Sequence, residues 1–244
     1  GWGSLATLFL CMAAWQWLSE SYSELVLPAP MAVMRSLHEI MTSGTGAQEL
    51  AITARRAGTG FVLAVVPGVF FGVLAGYSMT GAVLSRPIVS LLLGTPPIAW
   101  LVLALIWFGT GDGTPVFTVF LAALPVIFLQ SMQGMRTLDG HHKDLARAFN
   151  VPFWMRWKDI FLPHILSYIL PALITALGIS WKVVVMAELL ATERGIGAAL
   201  SIARTWLDTT AALAYIVAAV GLLLFIEYAF LEPLKRHVER WRDA

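Results

Sequence analysis

The chain has 244 residues, of which 58% are hydrophobic and only 13% charged, and its mean hydropathy is +0.76. That composition lies outside the soluble globular range and predicts a membrane protein. A net charge of +1, with basic residues scattered rather than striped, argues against nucleic acid as a partner. A single cysteine, Cys11, excludes an internal disulfide and a cysteine-rich metal site.

Residues 61–75 and 88–108 contain no Asp, Glu, Lys or Arg. A spanning helix needs about 20 mostly apolar residues, and six segments qualify as candidates, at about 4–18, 59–77, 88–108, 115–132, 165–190 and 211–231. The reading is therefore an all-α, polytopic protein with about six transmembrane helices, the first being the shortest. Residues 5–17 lack the basic leader and small-residue cleavage site of a signal peptide.

With a cytoplasmic N-terminus, six spans place both termini and loops 78–87 and 133–164 inside. Ten Lys and Arg residues then lie inside and five outside, with Lys182 within a span. The positive-inside rule favours that orientation, and the group Lys235, Arg236, Arg240 and Arg242 anchors it.

Along the chain, Leu27-Pro28-Ala29-Pro30 breaks the backbone after the first span. Residues 31–41 then read as an interfacial amphipathic helix, followed by a turn at 43–46 and a polar helix leading through Arg55 and Arg56 into the second span. Gly68, Gly72 and Gly76 repeat every four residues in that span, with Gly60 and Ala64 extending the stripe. One bare helix face lets another backbone approach closely, either within the subunit or in a subunit dimer.

The third span carries Gly94-Thr95-Pro96-Pro97 near its middle. Two prolines remove two donors and obstruct the helical ladder, so the helix is expected to kink or open there. Freed carbonyls at membrane depth must face protein or a water-filled cavity. Thr95, Pro96, Pro97 and the nearby Trp100 are therefore candidates for the lining of a translocation path, with a purely structural kink as the alternative.

Residues 109–115 form a glycine-rich turn cluster that lacks the Lys-Ser/Thr end of a phosphate-binding loop. In the fifth span, Lys182 and Glu188 are ionisable groups in an apolar stretch, and such groups mark functional positions by default. Six helical steps place them about 120° apart, so they do not pair directly; either is a candidate for the path or a gate. The histidines have no zinc-site spacing, and no acid, base and nucleophile set converges. The chain is not expected to be an enzyme or to hold a cofactor of its own.

The segment after the fourth span is too apolar for a plain linker: Asp144-Leu145-Ala146-Arg147-Ala148-Phe149-Asn150, nine residues, then Ile160-Phe161-Leu162-Pro163. Leu145, Ala148 and Phe149 share a helical face, Asn150 suits a helix end, and residues 153–161 read as a second amphipathic helix ending at Pro163. Two short helices about a turn make a knob for a partner groove, or a pair lying on lipid.

This spacing resembles the EAA loop of permeases of binding-protein-dependent ABC importers: Glu-Ala-Ala, three residues, Gly, nine residues, Ile-x-Leu-Pro. Ala146, Ile160, Leu162 and Pro163 match by identity, Asp144 stands for Glu, Asn150 for Gly, and Leu145 replaces the first Ala. The Leu-Pro-Ala-Pro element, Ala99-Trp100 with Trp107-Phe108-Gly109, and Trp181-Lys182 with Ala187-Glu188 look most like the nitrate, sulfonate, taurine and bicarbonate branch. The resemblance implies a type I importer permease, one domain over 1–244 with a cytoplasmic coupling loop at 136–163, in a bacterial-type inner membrane. It also implies a second, usually identical permease, two ATP-binding cassette subunits holding ATP and Mg and docking on Asp144 to Asn150 and Pro163, and an external substrate-binding protein. The solute expected is a small anion such as nitrate, bicarbonate or a taurine-like sulfonate. A heterocyclic vitamin precursor is the alternative, and an ion-coupled secondary transporter using Lys182 and Glu188 a further one.

Overall fold

The computed structural model describes residues 2–137, 152–231 and 233. Among them every regular element is helical: α1 (Trp2–Ser21), α2 (Pro30–Thr42), α3 (Thr45–Tyr77), α4 (Met79–Gly94), α5 (Pro97–Phe108), α6 (Gly113–Arg136), α7 (Leu162–Ala191), α8 (Ile196–Thr205) and α9 (Thr209–Ile226). A helical turn at Phe153–Arg156 and a π-helical turn at Trp157–Phe161 lead into α7, and a second π-helical turn, Glu227–Leu231, follows α9.

Among the described residues four helices are long and apolar enough to cross a membrane: α3, α6, α7 and the segment Thr209–Ala229. Counting the bent pair α4 and α5 as one span gives five. The first expected span is a 20-residue helix, α1, whose Trp and Gln residues dilute its apolar character. Its main anchor is the Trp15 indole N–H, which donates to the Pro28 carbonyl at 3.1 Å. Val62, Val66, Phe70 and Leu74 on α3 and Ile98, Val102 and Ile106 on α5 are all exposed. Such an apolar exterior is the reverse of a soluble surface and suits lipid or a partner subunit.

The core lies where α6 packs between α3 and α7. Ala64, Ala123, Ile127 and Ala176 form one buried cluster across the three helices, and Ala57, Val119, Trp181, Val183 and Val184 another. The small-residue stripe is the α3 side of this contact. A Cβ on Gly72 would lie 2.5 Å from the Phe128 carbonyl oxygen and 2.7 Å from the Ser131 Cβ, and one on Gly76 would lie 2.5 Å from the Met132 carbonyl oxygen. Gly68 stands against Ile127, where a Cβ would come within 3.0 Å. The stripe thus faces α6 of the same chain.

Because the obstruction at Gly72 is backbone, it cannot swing away. Gly72→Ala is expected to push α3 off α6 and lower stability by about 1–3 kcal/mol, read as an earlier midpoint in SDS-driven unfolding of the micelle-bound protein. An unchanged midpoint would contradict this packing.

Two local expectations are corrected by the structure. Residues 78–87 are not a loop: after the Ser78 cap, whose hydroxyl accepts from the Gly81 N–H at 3.0 Å, they form the first half of α4. Nor does Pro163 end a helix. It lies in the first turn of α7, directly after the π-helical turn Trp157–Phe161. A widened turn accommodates the missing proline donor without stopping the helix.

Candidate functional site

The third-span break falls where the prolines put it, but it is sharper than a kink. A residue before proline is pushed to extended backbone, and Thr95 and Pro96, each followed by a proline, have ψ of 122° and 140°. Pro97 then opens α5 at its first position, where its missing N–H costs nothing. The axes of α4 and α5 diverge by 89°. The Thr95 backbone N–H and hydroxyl both donate to the Leu91 carbonyl, at 3.0 and 2.8 Å, and so close the end of α4. Pro96 and Pro97 are exposed and Trp100 is half-buried; the Trp100 indole N–H has no acceptor among the described residues.

Glu188 is brought to a different place, a fully buried polar cluster where α3, α7, α8 and the 109–112 turn meet. Its Oε1 accepts from Arg56 Nη1 at 2.8 Å, and its Oε2 from the Thr53 hydroxyl at 2.7 Å and the Gly197 N–H at 3.2 Å. Arg56, whose side chain is 6% exposed, also donates from Nη1 to the Arg194 carbonyl at 2.6 Å. Its Nε and Nη2 reach Asp112 Oδ1 at 2.8 and 2.6 Å, while Arg55 pairs with Asp112 Oδ2.

Backbone groups complete the cluster. The Ile196 N–H donates to the Thr53 hydroxyl at 2.9 Å, and the Gly195 N–H to the Glu49 carboxylate. The carboxylate of Glu188 therefore occupies the N-terminus of α8, where unpaired N–H groups favour negative charge. Gly195 is required here: its φ is +103°, and a Cβ would sit 2.3 Å from Glu188 Oε1. The Gly111 N–H donates to the Ala191 carbonyl at 3.3 Å, which fastens the 109–112 turn to the end of α7.

Lys182 is on another face of α7, exposed, with no hydrogen bond or ion pair among the described residues. Residues 144–150, where the coupling knob is expected, lie outside the described residues; Pro163 is described and exposed. Sequence reasoning singled out Glu188 but not Arg56, Asp112 or Thr53, which complete its cluster.

Helices of spanning length around a buried small-residue seam, with a broken α4 and α5 pair, define a polytopic α-helical membrane protein. The profile of the family described as "Binding-protein-dependent transport system inner membrane component" matches residues 68–240. The chain belongs to that family and is a permease subunit. It is similar to TauC of Escherichia coli, a taurine transport system permease protein, at 29% identity over 98% of this chain and 89% of that one. NrtB of Leptolyngbya laminosa, a nitrate import permease protein, is 28% identical over 61% of this chain and 53% of its own length. Among solved structures, an amino acid ABC transporter matches with a TM-score of 0.61 at 18% identity, over 82% of this chain and 97% of that one. The MetNI methionine ABC transporter matches with a TM-score of 0.60 at 20% identity, over 80% and 95%. At those identities the likeness is one of fold.

Proposed function

We propose that the chain is the permease of an ATP-driven importer for a small anion, with nitrate, bicarbonate and taurine-like sulfonates as the candidate solutes. Two copies enclose the path. Two cytoplasmic ATP-binding cassette subunits hold ATP and Mg and dock on residues 144–163, and an external binding protein delivers the solute. The assembly sits in the inner membrane of a bacterial-type cell, with both termini of the chain in the cytoplasm. The single observation that carries this reading is the similarity to TauC over 98% of the chain, in a family whose description names a binding protein.

In operation, ATP binding closes the cassettes, and their grooves carry the knobs at 144–150 and tilt the spans to open the path outward. Hydrolysis returns it toward the cytoplasm. Coupling requires that the docked cassettes favour one membrane conformation over the other; equal affinity for both would move nothing. Thr95, Pro96, Pro97 and Trp100 line the path in this reading, which the 89° break between α4 and α5 supports. Glu188 acts as a fastener of the outer end and not as a solute ligand, since Arg56, Thr53 and Gly197 already engage its oxygens.

Calorimetry on the binding protein encoded beside this chain tests the solute class. Binding of taurine, nitrate or bicarbonate is the expected result; binding of a cation or a neutral heterocycle, with none of these anions, would refute the anion assignment.

A further inference from the structure

Lys182 is the one lysine in the long apolar helix α7. The helix is about 45 Å long by its 30 residues, and Lys182 lies about 13 Å short of its C-terminal end, within the reach of the hydrocarbon core. A lysine facing lipid there is costly. Snorkelling to the nearer interface is opposed by helix geometry. Side chains lean toward the helix N-terminus, which in the proposed orientation is the cytoplasmic end, so Lys182 leans deeper into the membrane.

Beneath that lean the helix is bare. Gly178 lies one turn before Lys182, and a Cβ built on it would meet nothing within 4 Å. Thr175 lies on the same side another turn down and is exposed, as is Pro171; its hydroxyl donates to the Pro171 carbonyl at 3.1 Å. These four positions fall within about 60° of the helix circumference. The opposite side of α7 is the packed one, with Ala172, Ala176, Ser180, Val183 and Val184 buried.

We infer that Lys182, over the open notch at Gly178 and Thr175, is the charge-selecting residue of the translocation path, taking an oxyanion such as a sulfonate, nitrate or bicarbonate group. The path side of this stripe faces the same stripe of a second copy across a water-filled path, because an ammonium at this depth needs water or a protein neighbour and the described residues supply no hydrogen-bond or ion-pair partner for it. Two such ammonium groups across the path favour an anion and repel a cation. This inference rests on the reading of the chain as a permease for a small anion.

The chain's single cysteine makes the test direct. In a Cys11→Ser background, Gly178→Cys is examined in native membrane vesicles with two thiol reagents of similar size, one carrying a sulfonate and one a trimethylammonium group, followed by mass spectrometry of this chain. Thr175→Cys gives an independent reading one turn deeper. Both thiols are expected to react from water, with the sulfonate reagent favoured, and Lys182→Gln is expected to lower the sulfonate-to-ammonium rate ratio about tenfold. A thiol that reacts only with membrane-permeant maleimide, or a ratio unmoved by Lys182→Gln, would overturn the assignment. Because the ratio needs no transport, it is read separately from uptake: an importer of a cation would refute the proposed solute while leaving the thiol result to stand or fall alone.

Discussion

Arg56→Met is expected to be the most damaging single substitution in the membrane domain, lowering stability by about 3–5 kcal/mol. The reason is the state of its partner. Glu188 is 0% exposed and has Arg56 as its only cationic neighbour among the described ion pairs. Removing Arg56 strands a carboxylate in a site that water does not reach, with only the Thr53 hydroxyl and the Gly197 N–H left as donors. Against a typical total of about 5–15 kcal/mol, most molecules would fail to fold or assemble.

The companion Glu188→Gln separates charge from shape. It keeps an acceptor for Thr53 and Gly197 and removes the stranded charge, so the Arg56→Met/Glu188→Gln pair is expected to be more stable than Arg56→Met alone. SDS-driven unfolding of the four proteins in micelles gives the coupling energy of the cycle. A double variant whose loss of stability equals the sum of the two single losses would show that the two side chains act independently.

Ala148→Arg is expected to abolish coupling while leaving the spans folded. If residues 144–150 form a knob seated in a cassette groove, a small side chain at its surface permits close approach, and a long charged one both clashes and buries a charge. Affinity purification through a tag on the permease would then recover no cassette subunits, ATP-driven uptake would fall to the level of ATP-free vesicles, and helical circular dichroism would be unchanged. Normal assembly with normal uptake would remove the dock from this segment.

Much of the fold is legible in the sequence because hydrophobic length is a strong signal in a membrane protein. The apolar runs locate α3, α6, α7 and α9, and the paired prolines locate the break between α4 and α5. The 89° bend is not legible, since proline specifies lost donors and an extended predecessor, while the direction taken afterwards depends on what α5 packs against, chiefly α6, where Trp107 and Phe108 meet Phe117, and also Ala187 and Ala191 through Leu101. Residues 78–87 read as a loop because they fall between the candidate spans 59–77 and 88–108. Helix α4 nevertheless starts at Met79, directly after the Ser78 cap, and runs through them to Gly94.

The buried Glu188 cluster shows a different limit. Glu188 could be picked out because a carboxylate in an apolar stretch is anomalous, yet its partner is 132 residues away. Arg56 looked like one of two adjacent outside charges. The useful signal was positional: Glu49, Thr53 and Arg56 recur at four and three residues, which puts them on one side of α3, continuous with the Gly60 to Gly76 stripe that faces the core. Their neighbour Arg55 falls off that side and is exposed.

The central claim is that this permease moves its solute only under the control of ATP-binding cassettes. It is tested most directly by uptake of labelled taurine, nitrate or bicarbonate into proteoliposomes containing the chain alone, the chain with its cassettes, and the full set with the binding protein. The prediction is ATP-dependent uptake by the full set and none by the chain alone. Uptake by the chain alone, driven by an ion gradient and indifferent to ATP, would contradict it.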